Sequence, residues 1–120
     1  MVVLPSYSVG DSLLAQYAPR LPGLEHRLLH TLLMLPRIPS CEVVFVTCLR
    51  PAPQVLDYYL SLMPPSHRES VAARIHVVEV PDASPRSVSY KLLDRPDLLE
   101  RLRTMVAGRI AYIDPWTVTP

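Results

Sequence analysis

Glycine is scarce in this chain of 120 residues, which has 3 glycines against 14 prolines. Loops that cradle phosphate depend on glycine, because only a backbone without a Cβ approaches a pyrophosphate closely. Neither G-x-G-x-x-G nor G-x-x-x-x-G-K-[ST] occurs, and the segment 6–11 after the first predicted strand holds only Gly10. The sequence therefore excludes nucleotide binding by a Rossmann or P-loop mechanism within this chain.

The chain also lacks an excess of either charge, with 12 basic and 11 acidic residues. This balance excludes a basic nucleic-acid-binding tail, an acidic solvating tail and charge-driven disorder, so no nucleic-acid partner is expected. Lys91 is the only lysine, and the other basic residues are arginines. A GC-rich genome is the favoured explanation of this bias, ahead of a need for planar guanidinium groups that bind carboxylate or phosphate.

Long hydrophobic runs are missing as well. The leucine-rich stretch 28–35 is interrupted by His30 and Thr31, and a membrane span needs about 20 apolar residues. Pro5 follows an N-terminal segment without basic residues, which is unlike a signal peptide. We therefore expect a soluble cytoplasmic protein without a membrane partner.

The only two cysteines, Cys41 and Cys48, flank an apolar run. At the ends of one extended strand they would lie about 20 Å apart, which is too far for a disulfide. Cys48 could serve as a thiolate nucleophile if a helix N-terminus pointed at it. Because the sequence places no His or Asn beside it, a packed thiol is the favoured interpretation, and a small free-standing enzyme using Cys48 or a strand-end aspartate is the third hypothesis.

Four short runs rich in β-branched residues predict strands, at 2–4, 42–47, 75–80 and 110–113. The second and third are almost continuously apolar, which is typical of strands buried on both faces. Helices are predicted between them. Their proposed starts and ends are a cap at Gly10–Ser12, a leucine-spaced helix over 21–35, helices beginning at Pro53 and at a Ser66–Glu69 capping box, and a last helix that starts around 94–97 and ends at Gly108.

Alternating strands and helices predict a single domain over 1–120 of the α/β class, with a Rossmann-like parallel sheet of about four strands and helices on both faces. The helix beginning at Pro53 is expected to turn Val55, Tyr58, Tyr59 and Leu62 toward the core. No internal repeat or linker interrupts the pattern.

Ligands of open parallel sheets bind outside the carboxyl ends of the strands. Each predicted strand is followed by polar residues, and the candidates for a substrate cleft are Ser6, Thr47, Asp82, Ser84 and Asp114. The plainer interpretation is that Ser, Asp and Pro occur there because they form turns and caps. His26 and His30 share a helical spacing but lack the H-E-x-x-H pattern and a third ligand, so no metal site is predicted.

Seven short and different sequence blocks occur in order along the chain, at 3–6, 24–29, 44–47, 55–60, 64–67, 82–85 and 91–96. Among them, D-Y-Y-L at 57–60 and K-L-L-D-R-P at 91–96 are the most specific. Together the blocks resemble the pre-ATP-grasp domain of carboxylate–amine ligases related to the pheganomycin peptide ligase. A similar module is found in the eukaryotic IQ-motif-containing protein H. The resemblance covers nearly the whole chain. It departs at 24–27, where the bacterial relatives look more acidic, and at Tyr90, where they look more polar.

The resemblance implies a Rossmann-like lobe in front of an ATP-grasp domain, and thus the N-terminal part of a longer protein. In such ligases ATP activates a carboxylate as an acylphosphate, which an amine then attacks to form an amide. The resemblance places ATP and Mg²⁺ in the downstream domain, so this chain would bind neither and would not be catalytic alone.

Two further expectations concern partners. The leading hypothesis is that this domain forms part of the substrate cleft and packs against the adjacent ATP-grasp domain. The alternative is a non-catalytic interaction or structural module that binds another protein chain within a larger eukaryotic assembly, since the high apolar content could leave exposed hydrophobic patches. The sequence beyond Pro120 would distinguish the two.

Overall fold

The computed structural model describes residues 1–6 and 11–114. Within them, four strands form one sheet in the order β3-β2-β1-β4. The strands are β1 (Val2–Val3), β2 (Val43–Thr47), β3 (Ile75–Glu79) and β4 (Ile113–Asp114). All neighbours pair in parallel. The predicted α/β class with a parallel sheet is confirmed, and the order agrees with the first four strands of the doubly wound Rossmann arrangement.

Six α-helices connect these strands, and none of the described helices is long and apolar enough to cross a membrane. They are α1 (Asp11–Tyr17), α2 (Leu21–His26), α3 (Pro53–Ser61), α4 (Pro65–Ala72), α5 (Val88–Leu93) and α6 (Pro96–Val106). Two stretches of 3-10 helix, Ala18–Arg20 and Arg27–Arg37, flank α2.

The sheet separates two apolar cores, because successive side chains of a strand point to opposite faces. On one face Val3, Val43 and Phe45 pack with leucines of the 3-10 helix Arg27–Arg37 and with side chains of α3 and α4. On the other, Val44 and Val46 pack with side chains of α5 and α6. All five residues of β2 are buried. The prediction of helices on both faces is therefore confirmed.

The last strand lies further along the chain than predicted. The β-branched run 110–113 favoured a strand starting at Ile110, but within the described residues β4 pairs with β1 through Ile113 and Asp114. Ile110 is fully exposed. Gly108 has φ +72°, but it does not cap α6 as predicted, because the helix ends at Val106 and Ala107 is already extended with ψ 132°. Gly108 instead takes the left-handed position of the turn in which Arg109 N–H donates to the backbone oxygen of Val106 at 3.1 Å.

Proline decides where two helices begin. The predicted capping box made Ser66 the N-cap, but α4 starts at Pro65 after Pro64, and no side chain caps it. Proline suits the first helical position because it has no N–H to leave unpaired and its φ is already helical. In the same way α6 begins at Pro96, so Asp94 lies outside it and no side chain caps its start.

Three other helix predictions need correction. The leucine-spaced segment predicted as one helix is α2 followed by 3-10 helix, although its leucines are buried as expected. Helix α3 turns Val55, Leu56, Tyr59 and Leu60 toward the core and leaves Tyr58 and Leu62 exposed, so its face was wrong by one position. Helix α5 was missed because it has barely two turns. The predicted cap at Gly10 lies outside the described residues.

We expect Leu29→Ala to lower the free energy of unfolding by about 2–5 kcal/mol, because it leaves a cavity in a fully buried position. The matched control is Leu62→Ala, the same truncation at a position that is 53% exposed, for which a change within about 0.5 kcal/mol is expected. Urea unfolding measures both. Equal losses of stability in the two variants would contradict the observed burial of Leu29 and exposure of Leu62.

Candidate functional site

Polar side chains collect at the carboxyl edge of the sheet, where the strands end. Thr47 is the last residue of β2 and Asp114 the last of β4. Ser6 follows β1, and Asp82 and Ser84 follow β3. Ser6 and Thr47 are buried, whereas the other three are partly exposed. The five predicted cleft residues thus share one edge of the sheet.

A buried carboxylate lies at the end of β2. Glu25, from α2, is only 1% exposed. Its Oε2 accepts a hydrogen bond from Thr47 Oγ1 at 2.7 Å and another from the backbone N–H of Cys48 at 2.7 Å. These donors replace water for a group that would be costly to bury alone. They also join α2 to the turn after β2.

Burial and the same carboxylate disfavour ionisation of the Cys48 thiol. Burial, together with the negative charge and hydrogen bond of Glu25, raises the pKa of Cys48 to about 12. A nucleophilic cysteine needs the opposite shift. This opposes the hypothesis of a free-standing thiol enzyme and agrees with a packed thiol, and both cysteines are free.

A buried ammonium group lies after β3. Lys91, from α5, is 2% exposed, and its Nζ donates to the backbone oxygen of Asp82 at 2.7 Å. This bond ties α5 to the loop that follows β3. Lys91 is close enough to Cys48 for its charge to lower that pKa slightly against the larger raising effects. The two buried charges, Glu25 and Lys91, therefore share one polar cluster.

The loop after β3 is closed by its own charges. The N–H of Ser84 donates to Asp82 Oδ1 at 2.7 Å, and Arg86 donates to Asp82 Oδ2 at 3.2 Å and to Asp94 Oδ2 at 2.7 Å. Hydrogen bonds from Ser84 lower the pKa of Asp82, and Arg86 adds to the effect. Asp82 and Ser84 therefore stabilise this loop, as the plainer interpretation of strand-end polar residues expected.

Serines connect this loop to the end of β1. Ser6 Oγ donates to Ser89 Oγ at 3.0 Å, and the Ser89 and Ser87 hydroxyl oxygens are 2.6 Å apart. Ser6, Thr47, Asp82 and Ser84 thus belong to adjoining hydrogen-bonded groups around Glu25 and Lys91, which we call the carboxyl-edge cluster. Asp114 is not part of this cluster. Among the described contacts it is joined to its neighbours only through strand pairing, in which its backbone oxygen accepts from Leu4 N–H at 2.9 Å.

Glu25 and Lys91 were not singled out by the sequence analysis, although a signal for each existed. Glu25 falls in the same helical stripe as Leu21 and Leu28, and Lys91 is spaced like a core residue relative to Val88 and Leu92. A charged residue in an apolar stripe marks a buried polar contact. His26 and His30 instead bond backbone oxygens of Leu49 and Arg27.

The strand order locates the crevice of this edge. The chain moves outward from β1 through β2 to β3 and then returns to β4 on the other side of β1. Ligands of such sheets bind where the order reverses, which is here between β1 and β4. Ser6 and Asp114 flank that point. The predicted strand-end segments at 7–8 and 115–117 lie outside the described residues.

The described acidic side chains of the carboxyl-edge cluster hold its loops in place. Both Glu25 and Asp82 accept from internal donors. Within 1–6 and 11–114, no three His, Cys, Asp or Glu side chains group as metal ligands.

A large cavity in the described part of the chain lies at the opposite end of the sheet. It has a volume of about 840 Å³ and is lined by the starts of β1–β3, the end of the 3-10 helix Arg27–Arg37, and the chain after α6. We call it the amino-edge cleft. Apart from Asp114, the predicted site residues belong to the carboxyl-edge cluster, where more polar side chains converge than around this cavity. The cavity and the predicted site therefore lie at different ends of the sheet.

Glu42 is the charged centre of the amino-edge cleft. It accepts hydrogen bonds from Arg109 Nη2 and from His76 Nε2, each at 2.9 Å, and its Oε2 lies 2.9 Å from Arg109 Nη1 in the same ion pair. The hydrogen bond from Arg109, followed by that from His76, lowers the pKa of Glu42 to about 2. This contact ties the segment after α6 to β2 and β3.

Comparison of the chain with protein-family models, with curated proteins and with solved structures finds no match.

In a Cys41→Ser background, we expect iodoacetamide at pH 8 to alkylate folded Cys48 far more slowly than the urea-unfolded chain. A pKa raised from 9.0 to about 12 lowers the thiolate fraction about 1000-fold. Glu25→Gln should increase the folded-state rate, while the exposed control Glu100→Gln should not. A folded rate equal to the unfolded one would show that this thiol is accessible and ionised.

Glu42→Gln should lower the free energy of unfolding at pH 7 by about 1 kcal/mol, since a third of the side chain is exposed and solvent screens its ion pairs. The folded pKa lies below the unfolded value of 4.5, so this stabilisation is complete above pH 4.5 and disappears as the pH falls through about 2. Urea unfolding at pH 7, 5, 3 and 2 measures it. A deficit that stays constant down to pH 2 would mean that shape, not charge, matters here.

Proposed function

We propose that this chain is the N-terminal, pre-ATP-grasp domain of an ATP-dependent carboxylate–amine ligase-like protein. The domain would not be catalytic alone, and its carboxyl edge would form one wall of the substrate cleft. The observation that carries the proposal is that separate sequence blocks, which resemble those of this family, contact one another at that edge.

Two contacts make the point. Glu25, from the block 24–29, accepts from Thr47, in the block 44–47. Lys91, which opens the block 91–96, donates to Asp82, in the block 82–85. Contacts between such blocks favour a shared role in building one surface over a set of unrelated turn residues. Ser6, in the block 3–6, donates to Ser89, which lies between the blocks 82–85 and 91–96.

The division of labour follows from the chemistry of the edge. ATP, when bound in a downstream domain, supplies the phosphoryl group that activates the carboxylate. The residues of this chain would hold the cleft wall in place, because Glu25 accepts two internal hydrogen bonds and Lys91 donates one to the loop after β3. Ser6 and Asp114 would lie nearest the substrates, since they flank the reversal of strand order.

Exposed apolar side chains support a contact with a neighbouring domain. Ile110, Tyr112 and Ile113 are exposed along the segment that leads into β4, and β4 is an edge of the described sheet. Apolar residues grouped at a sheet edge favour covering by another surface. The adjacent ATP-grasp domain is the proposed partner, and the cytoplasm is the proposed compartment.

The same exposed residues favour the second candidate function, a non-catalytic module that binds another protein chain. The two proposals differ in what the gene encodes after Pro120. A downstream ATP-grasp segment supports the ligase, and a stop codon supports the interaction module.

The test combines the gene with calorimetry. We expect the coding sequence after Pro120 to continue into an ATP-grasp segment, and the full-length protein to release ADP only when a carboxylate and an amine are both present. Residues 1–120 alone should give no heat of Mg²⁺–ATP binding. A stop codon would overturn the ligase proposal, and tight Mg²⁺–ATP binding by residues 1–120 would overturn the assignment of the nucleotide to another domain.

A further inference from the structure

The amino-edge cleft has the size and lining of a small-molecule site. Its volume of about 840 Å³ lies within the range of about 300–1,000 Å³ typical of ligand pockets. Apolar side chains from three parts of the chain face it, among them Val44 of β2, Met34 of the 3-10 helix and Met105 of α6. Methionine side chains adapt their shape to an apolar partner. The cleft is therefore suited to an apolar body.

One cation in the cleft has unused hydrogen-bonding capacity. Arg109 contacts the two carboxylate oxygens of Glu42 through Nη1 and Nη2, but a guanidinium carries five N–H donors. No further acceptor for it is found among the described residues. About half of its side chain is exposed, so its remaining donors are accessible to a ligand.

The charges near the cleft favour an anion. Among the described residues Glu42 is the only carboxylate that lines it, and it is already paired with Arg109 and His76. A second guanidinium, that of Arg74, lies behind the wall formed by 35–41, does not line the cleft, and bonds backbone oxygens of Leu35 and Cys41. Within the described residues Arg74 has no carboxylate in ion-pair distance, so it adds a positive charge near the cleft that Glu42 does not offset.

We propose that the amino-edge cleft binds a small molecule with an apolar body and one anionic group, and that the anion contacts Arg109. This site is separate from the carboxyl-edge cluster, because it lies at the other end of the same strands. It does not depend on the ligase proposal. A ligand here would contact β1–β3 and the segment after α6 together, and would stabilise the approach to β4.

Two fluorescent probes with almost the same body test the proposal. 8-Anilinonaphthalene-1-sulfonate carries an anionic group, and N-phenyl-1-naphthylamine lacks it. We expect the sulfonate to bind one site per chain about tenfold more tightly than the neutral probe, as a charged hydrogen bond in a partly exposed site would give. Decanoate should displace it, whereas decyltrimethylammonium, which has the same chain and the opposite charge, should not.

Two variants that break the same ion pair separate charge from structure. Arg109→Gln should weaken sulfonate binding about tenfold, because it removes the cation and leaves the Glu42 carboxylate with His76 alone as its described side-chain partner. Glu42→Gln should strengthen it several-fold, because Arg109 is released. A general loosening of the cleft would shift both variants in the same direction. Arg103→Gln, on the exposed face of α6, is the matched control and should have no effect.

Three results would overturn the proposal. The first is equal affinity for the two probes, which indicates an unspecific apolar surface or a docking site for a protein. The second is a loss in both ion-pair variants. The third is an effect of Arg103→Gln as large as that of Arg109→Gln, which would place the anion elsewhere on the surface.

Discussion

The carboxylate of Glu25 is the contact on which the carboxyl edge depends. A buried charge at the end of a central strand is tolerated only when donors surround it, and Thr47 and the N–H of Cys48 supply them. Removing either donor would leave this buried charge with a single partner, so the positions of α2, the end of β2 and the following turn are coupled. Burial and the charge of Glu25 together raise the pKa of the Cys48 thiol. The position of Glu25 thus both orders this edge and helps to keep its thiol protonated.

The two ends of the sheet have different physical characters. At the carboxyl edge, buried charges are satisfied internally and the loops after β2 and β3 are held in place. At the amino edge, Glu42, Arg109 and His76 lie around an open apolar cleft, with donors of Arg109 left over. A rigid polar wall suits a scaffold beside another domain's active site, whereas an open cleft with a spare cation suits a ligand. The same strands connect the two edges of the sheet, so the carboxyl-edge cluster and the amino-edge cleft are supported by the same two apolar cores.

Sequence patterns predicted most of the secondary structure, and they failed where two signals competed. Ser66 and Glu69 match the sequence pattern of a capping box, but Pro65 suits the first helical position better. Helix α4 therefore begins at Pro65 without a side-chain cap. In α3, Val55 and Tyr59 were placed correctly while Tyr58 and Leu62 were not, since a helix of nine residues admits two apolar stripes. The stripe containing Glu25 could have indicated a buried carboxylate. Its partner Thr47 could not have been identified from the sequence, because Glu25 and Thr47 are 22 residues apart and no local pattern links them.

By itself the sequence determined the α/β class, the helices on both faces and the lack of a phosphate-binding loop, because hydrophobic period and glycine spacing are local properties. Only the tertiary structure decided the order β3-β2-β1-β4, and with it the position of the crevice between β1 and β4. Tertiary structure also brought Glu25 to Thr47, Lys91 to Asp82 and Arg109 to Glu42. These pairs form across 22, 9 and 67 residues, and packing of the whole chain is what selects such partners.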